Sequence, residues 1–272
     1  MSIIHAIILG FVQGLTEFLP ISSSGHLVLV PQLFGWKELS PSVEKTFDVA
    51  LHAGTLIGAV AYLHKDILKI ISSCLSSIKT RKMNQYTKFG LLILVTSIPG
   101  ALLGALFENM ISEHLSQPAL VASMLIVFGL VLFFADKLVG SRQKEELTIK
   151  DAIIAGASQA LALQPGVSRS GITMTALRSQ GFTREASARL SFLMLIPIVA
   201  GATLFTGAKT ITGDGIPHDL VWPMIVGVCV SAITGWIAVY GLLKLLRTKS
   251  FTPFVIYRIA AGLGVFAWLI LK

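Results

Sequence analysis

His5-Ala-Ile-Ile-Leu-Gly-Phe-Val-Gln-Gly-Leu-Thr-Glu-Phe-Leu-Pro-Ile-Ser-Ser-Ser-Gly-His26 recurs without a gap as Asp151-Ala-Ile-Ile-Ala-Gly-Ala-Ser-Gln-Ala-Leu-Ala-Leu-Gln-Pro-Gly-Val-Ser-Arg-Ser-Gly-Ile172. Nine of the 22 pairs are identical at a constant offset of 146 residues: Ala6, Ile7, Ile8, Gly10, Gln13, Leu15, Ser22, Ser24 and Gly25 and their partners. Each copy is a short apolar helix that breaks at a Pro into hydroxyl and Gly residues. Pro ends the helix and Gly lets the backbone turn tightly. The segments 6–19 and 152–164 are too short to cross a bilayer, and each suits a re-entrant helix whose loop lines a protected polar cavity. Paired broken helices of this kind mark a binding site near the middle of a membrane.

The rest of the chain supports that frame. Of its 272 residues 54% are hydrophobic and 13% charged, with a mean hydropathy of +0.77, values that belong to a polytopic membrane protein. Six apolar stretches can span: about 47–64, 87–107, 117–138, 191–208, 221–243 and 251–271. No cleavable signal peptide is evident, since the first apolar run leads into Glu17 without a basic start or a small-residue cleavage site. The net charge of +8 sits in short loops and reads as membrane orientation; no basic and aromatic stripe for nucleic acid is present. Cys74 and Cys229 lie far apart with no metal-ligand spacing.

Charge sets the sidedness. Lys65, Lys69, Lys79, Arg81, Lys82 and Lys88 face one acid, Asp66, in the 65–88 connection. Lys137, Arg142, Lys144 and Lys150 lie in 137–150, and Lys244, Arg247 and Lys249 in 244–249. The 108–116 loop has Glu108 and Glu113 without Lys or Arg, and 209–220 sets Lys209 against Asp214 and Asp219. The positive-inside rule puts the first three connections in the cytoplasm and the last two outside. That count requires that neither short segment crosses. Arg178, Arg184 and Arg189 then also fall on the cytoplasmic side. Each half becomes one hairpin plus three crossings, an odd number that inverts the second half. The expected fold is therefore an all-α polytopic membrane protein, six transmembrane helices plus two re-entrant helical hairpins in an inverted-topology repeat. It forms a single membrane domain over 1–272, with repeat 1 about 1–140 and repeat 2 about 148–272. The first hairpin dips in from outside, the second from the cytoplasm, and their tips can meet.

The polar residues of the two hairpins are candidate chemistry. An ionised Glu17 inside a membrane is costly unless paired, metal-bound or wet, and Gln13 lies four residues before it on the same helical face. The bland alternative is that both only pack the hairpin. Ser22, Ser23, Ser24 and Gly25 offer hydroxyls and backbone N–H groups that suit an anion, and His26 can move a proton near neutral pH. The second loop carries Arg169 among Ser168, Ser170 and Thr173; its fork of donors suits phosphate oxygens, although pairing with Glu17 is the structural alternative. Asp48 and His52 stand four apart and are as easily a structural pair as a catalytic one. His64 beside Lys65 reads as interfacial. Arg258, next to Tyr257 in the last crossing, needs a partner and is a second-tier phosphate or network residue. His5, His114 and His218 carry no evident chemistry, and Gly100 and Gly104 read as helix packing.

With these residues in view, the chain resembles the bacterial undecaprenyl-diphosphate phosphatase family, also called bacitracin-resistance proteins. The resemblance rests on Gln13-Gly-Leu-Thr-Glu17, Pro20-Ile-Ser-Ser-Ser-Gly-His26 and Pro165-Gly-Val-Ser-Arg-Ser-Gly-Ile-Thr173, and extends to Phe47-Asp-Val-Ala-Leu-His-Ala-Gly-Thr55 and Pro253-Phe-Val-Ile-Tyr-Arg258. Some members carry Glu where this chain has Gln13. The resemblance implies hydrolysis of undecaprenyl diphosphate to undecaprenyl phosphate and inorganic phosphate, which recycles the lipid carrier for peptidoglycan and confers bacitracin resistance. It implies a divalent cation, Mg²⁺ or Ca²⁺, positioned by Glu17 with Gln13, in a bacterial plasma membrane protein with its site toward the outer face. Read onto these residues, Arg169, Ser168, Ser170 and Thr173 hold the diphosphate, with Ser22, Ser24 and Arg258 as further ligands. Ser23 is the nucleophile activated by His26, with direct attack by water as the alternative. A homodimer is left open. A polyprenyl-phosphate flippase on the same inverted-repeat fold is the rival from another class, and a scaffold leaves Glu17 and Arg169 without purpose.

Overall fold

A computed structural model describes residues 1–36, 40–212 and 215–271. Asp214 lies outside the described residues, as do the side chains of Glu108, Glu113 and His114 and the surroundings of Gly104. Two series of five helices follow one another in the same order: α1 Ile3–Phe18, α2 Ser23–Phe34, α3 Pro41–Thr80, α4 Gln85–His114 and α5 Pro118–Asp136; then α6 Ile149–Leu161, α7 Arg169–Ser179, α8 Arg184–Thr212, α9 His218–Leu246 and α10 Thr252–Leu271.

The breaks fall where the local sequence requires them. Ser2 Oγ accepts from His5 N to start α1, and Thr148 and Asp151 form a reciprocal capping box at the start of α6. α1 stops before Pro20 and α6 before Pro165. The helices resume at Ser23 and Arg169, each N-capped by the preceding serine: Ser22 Oγ accepts from Gly25 N at 3.3 Å and Ser168 Oγ from Gly171 N at 3.0 Å.

α3, α4, α5, α8, α9 and α10 are each long and apolar enough to cross a membrane, matching the six expected spans. Their outer faces are studded with exposed apolar side chains such as Ile57, Leu94, Phe134, Trp222 and Ile233, a surface that water would not tolerate on this scale. The protein is a multi-pass membrane protein. One connection differs from expectation. Residues 65–80 are not a loop but a continuation of α3, because Ile67, Leu68, Ile70, Ile71 and Leu75 keep helical spacing past the basic residues. The helix ends only at Arg81, at φ 55°.

The two series interlock. α1 packs on α9, and its counterpart α6 packs on α4, so each first helix leans on the fourth helix of the other half. Both contacts are backbone to backbone. A Cβ at Gly10 would stand 2.6 Å from Gly227 O, and one at the equivalent Gly156 2.8 Å from Thr96 O; only glycine permits either approach. α5 and α10 pack against each other beside the two turns. Where the basic connections lie, Asp136 binds Arg184 at 2.5 Å and accepts from Phe251 N at 3.0 Å. Asp66 binds Lys144 at 2.6 Å and Arg189 at 2.7 Å. These acids consume much of the positive charge that the sequence places there.

Candidate active site

The two turns meet. Gly166 N donates to Ser22 Oγ at 3.0 Å and Ser170 Oγ donates to Leu19 O at 3.0 Å. The junction is anchored by Arg258, which has no solvent-exposed surface. Its Nη1 donates to Pro20 O at 3.1 Å, and its Nη2 to Gly166 O at 2.8 Å and Val167 O at 3.0 Å. Its Nε donates to Leu125 O of α5 at 2.9 Å. Pro20 and Gly166 occupy the same position in the two repeats, so one guanidinium grips both turns at matching carbonyls. Of the two roles expected for Arg258, phosphate ligand or network residue, these bonds favour the network, since its fork is filled by backbone.

Glu17 is the centre of the polar cluster. Its Oε2 accepts from Ser23 Oγ at 2.5 Å and from Gln13 Nε2 at 3.1 Å, and its Oε1 accepts from Arg169 Nη2 at 3.2 Å. His52 Nε2 lies 3.5 Å from Oε2. Ser23 and Arg169 are the first residues of α2 and α7, so two helix N-termini converge on one carboxylate. The first N–H groups of a helix lack intrahelical acceptors and carry the positive end of its dipole. Such a place favours an anion.

Part of this cluster is spare. Arg169 Nε and Gln13 Oε1 are buried without a partner, although Arg169 Nη1 also donates to Ser191 O at 3.2 Å. Among the described residues the Ser24 hydroxyl is bonded to Ser22 Oγ, at 3.5 Å. By contrast Ser22, Ser168, Ser170 and Thr173 spend their hydroxyls inside the protein. Ser168 and Ser170 lie 3.1 Å apart, and Thr173 Oγ1 meets Ser191 Oγ at 2.6 Å and Arg169 O at 2.8 Å. The expected hydroxyl cradle is therefore mostly a frame that holds the turns, because buried hydroxyls in an apolar bundle must find partners. The open groups are Ser23, Ser24, Arg169 and Gln13.

His26 is placed differently from expectation. Its Nδ1 donates to Ser22 O at 2.7 Å, which leaves Nε2 for Tyr257 Oη at 2.6 Å. A carbonyl cannot donate, so Nδ1 carries the hydrogen. Ser23 meanwhile hydrogen-bonds Glu17. The group placed to take its proton is the carboxylate, not His26. His52, which the sequence leaves undecided, does join the cluster; its Nδ1 donates to Asp48 O at 2.8 Å, aiming Nε2 at Glu17. Its signals in the sequence are the spacing of four from Asp48 and its place in the stretch Phe47-Asp-Val-Ala-Leu-His-Ala-Gly-Thr55. Ser191, which holds Arg169 and Thr173, gave none.

A divalent cation needs oxygen donors. Among the described residues no three His, Cys, Asp or Glu side chains cluster as a complete cage. Mg²⁺, however, is commonly held by one or two carboxylates together with substrate phosphates. Glu17 and the unpartnered Gln13 Oε1 are a donor pair of that kind, so the residues present fit a cation shared with a phosphate ligand.

Comparison with known proteins places this arrangement. The family model described as bacitracin resistance protein BacA matches residues 6–264. The chain is 44% identical over 267 residues to the undecaprenyl-diphosphatase of Geobacter metallireducens, covering 97% of each protein. It is 46% identical over 265 residues to that of Geotalea daltonii, covering 96% of each. It is 46% identical over 266 residues to that of Pelotomaculum thermopropionicum, covering 97% of this chain and 96% of that protein.

Proposed function

The chain belongs to the bacitracin resistance protein BacA family, and from that premise we infer that it is an undecaprenyl-diphosphatase, hydrolysing undecaprenyl diphosphate to undecaprenyl phosphate and inorganic phosphate. The observation that carries the reading to particular residues is the Ser23–Glu17–Arg169 contact at the meeting of two helix N-termini. Phosphoryl transfer asks for positioning and charge neutralisation more than for elaborate covalent machinery.

In this reading the terminal phosphate lies between Ser23 and Arg169, with its oxygens on the Arg169 fork and on the first backbone N–H groups of α2 and α7. Ser23 Oγ attacks the terminal phosphorus while its proton passes to Glu17 Oε2. The bond from phosphorus to the bridging oxygen breaks, and undecaprenyl phosphate leaves with that electron pair. Water then attacks the phosphoserine: Ser23 Oγ leaves with the P–O electron pair and regains its proton from Glu17. The carboxylate so freed takes one proton from the attacking water. Inorganic phosphate departs carrying the water oxygen and that proton, which returns Glu17 to its ionised form. His52 Nε2 stands 3.5 Å from Glu17 Oε2, where a proton on that nitrogen would offset the carboxylate's charge. A divalent cation, Mg²⁺ or Ca²⁺, held by Glu17 and Gln13 Oε1, would supply further neutralisation of the diphosphate. The charge pattern supports a bacterial plasma-membrane location with the site toward the outer face.

The test is phosphate release from undecaprenyl diphosphate by purified protein with Mg²⁺ or Ca²⁺, alongside Glu17→Gln, Ser23→Ala and Arg169→Ala. Release by the wild type and losses of about 10²-fold or more in each variant are expected. Acid quench and mass spectrometry should find phosphate on Ser23; direct attack by water would leave Ser23 unmodified.

A further inference from the structure

His26 and His52 share one bond and differ in the other. Each donates Nδ1–H to the backbone carbonyl four residues earlier, His26 to Ser22 O at 2.7 Å and His52 to Asp48 O at 2.8 Å. His26 then spends Nε2 on Tyr257 Oη. His52 does not: the group facing its Nε2 is the Glu17 carboxylate, with Oε2 at 3.5 Å. A carbonyl only accepts, so the neutral imidazole carries its hydrogen on Nδ1 and turns a bare lone pair toward Glu17.

Two acceptors that face each other call for something between them. A charge-assisted hydrogen bond from an imidazole to a carboxylate closes to about 2.7–2.9 Å, and the 3.5 Å gap here is well beyond that. The gap suits an ion instead. Imidazole nitrogen and carboxylate oxygen each stand roughly 2.0–2.2 Å from a transition metal, and two such bonds at a near-tetrahedral angle set their ends roughly 3.4 Å apart. The bond from Nδ1 to a backbone carbonyl is also the arrangement that metal-bound histidines adopt, since it fixes the tautomer and aims the free nitrogen.

The spacing is held from outside the cluster, because one turn of α9 fixes both partners. Ser231 Oγ donates to Leu51 O at 2.7 Å, beside His52 on α3. On α1, three residues before Glu17, a Cβ at Gly14 would stand 2.7 Å from Ser231 O. The buried Thr55 adds a bond to His52 O at 2.8 Å. Closing the gap between His52 and Glu17 would disturb these packed backbone contacts.

We propose that His52 Nε2 is a third cation ligand beside Glu17 and Gln13, and that it gives the site a preference for a divalent transition ion over Mg²⁺ and Ca²⁺. The proposal rests on the reading above that Glu17 and Gln13 hold a cation. Mg²⁺ and Ca²⁺ are hard ions that take oxygen donors, so an imidazole adds little for them. Mn²⁺, Co²⁺ and Zn²⁺ accept imidazole together with carboxylate and carbonyl oxygen. Gln13 Oε1, buried without a partner, reaches the ion by a half-turn of its amide. That turn gives up the bond from Gln13 Nε2 to Glu17 Oε2, and the ion takes its place. A phosphate oxygen of the substrate completes the shell.

Mn²⁺ is the probe, because its binding can be followed without turnover. The full chain in detergent is titrated with Mn²⁺ and the free ion counted by electron paramagnetic resonance, with Mg²⁺ then added as competitor. The wild type should bind Mn²⁺ about tenfold or more tightly than Mg²⁺, and pulsed spectra should show an imidazole nitrogen coupled to the bound ion. His52→Gln should weaken Mn²⁺ by about tenfold or more, keep the Mg²⁺ constant within about twofold, and remove the nitrogen coupling. The retained Mg²⁺ constant also reports that the variant is folded. His64→Gln is the control: this α3 histidine bonds Ala61 O at 2.8 Å, and its loss should change none of the three readings. Wild-type spectra without nitrogen coupling overturn the assignment whatever the variants do. So does an equal loss of Mn²⁺ and Mg²⁺ in His52→Gln, or a wild type that binds no Mn²⁺. Protein that binds Mn²⁺ through His52 yet releases no phosphate counts against the phosphatase reading and leaves the metal ligand in place.

Discussion

Ser22 and Ser168 sit 146 residues apart in the chain and adopt the same unusual backbone, each at φ 75° with its side chain capping the helix that follows. Non-glycine residues rarely hold a positive φ, and such strain collects at functional turns. Here it starts α2 at Ser23 and α7 at Arg169, whose side chains both bond Glu17. The symmetry is not complete. Ser22 Oγ also accepts from Gly166 N across the junction, but the position equivalent to Gly166 is Pro20, which has no N–H to give Ser168.

Ser22→Ala should therefore destabilise the protein more than Ser168→Ala. Losing either cap costs about 1 kcal/mol, while Ser22→Ala also strands the buried Gly166 N–H, for another 1–3 kcal/mol or so. Thermal unfolding in detergent should show a lower midpoint for Ser22→Ala. Equal midpoints would mean that the cross-turn bond contributes nothing.

Arg258→Lys should behave as a structural lesion. A lysine keeps the charge but has no planar fork to reach Pro20 O, Gly166 O and Val167 O together. Leaving two or three buried carbonyls unpaired costs on the order of 3 kcal/mol or more. Loss of thermal stability along with activity is expected. A stable variant with only a raised KM would return Arg258 to the role of phosphate ligand.

The two helix breaks and the six spans were legible because each depends on local chemistry: Pro20 and Pro165 end helices, the serines restart them, and the apolar runs are long enough to cross. The pairing of Glu17 with Arg169 was legible from the cost of charge in a membrane, but the Ser23–Glu17 bond was not, since the sequence reading assigns Ser23 to His26. What the sequence could not separate was which hydroxyls face a ligand and which face protein. Ser170 bonds Leu19 O and Thr173 bonds Ser191, and both partners are set by packing across distant segments. His26 and His52 likewise have similar local surroundings in sequence, and only the approach of α10 to one and α1 to the other tells them apart.

Gln13→Glu should sharpen the metal response. The present Gln13 Oε1 is a neutral, unpartnered oxygen near Glu17; a second carboxylate there would attract a divalent cation more strongly and repel Glu17 without one. Phosphate release titrated with Mg²⁺ should reach half-maximum at a concentration lower by about tenfold. An unshifted titration would remove Gln13 from the cation site.

Asp151 gives the second hairpin an acid-sensitive anchor outside the membrane spans. Burial alone would raise its carboxyl, but hydrogen bonds from Arg142 and Thr148 together hold it below the ordinary 3.8. Arg142 Nη2 meets Oδ2 at 2.5 Å, and Asp151 caps α6 through Thr148. A carboxyl depressed in the folded state stabilises it fully above the unfolded value, and that contribution fades as pH falls through the folded one. Asp151→Asn should therefore cost about 1–3 kcal/mol at neutral pH. The gap between wild type and variant should stay constant down to about pH 4 and close below it. Unfolding midpoints measured from pH 7 to pH 3 would check this: a gap that persists at pH 3 would mean that the charge of Asp151 plays no part in holding α6 in place.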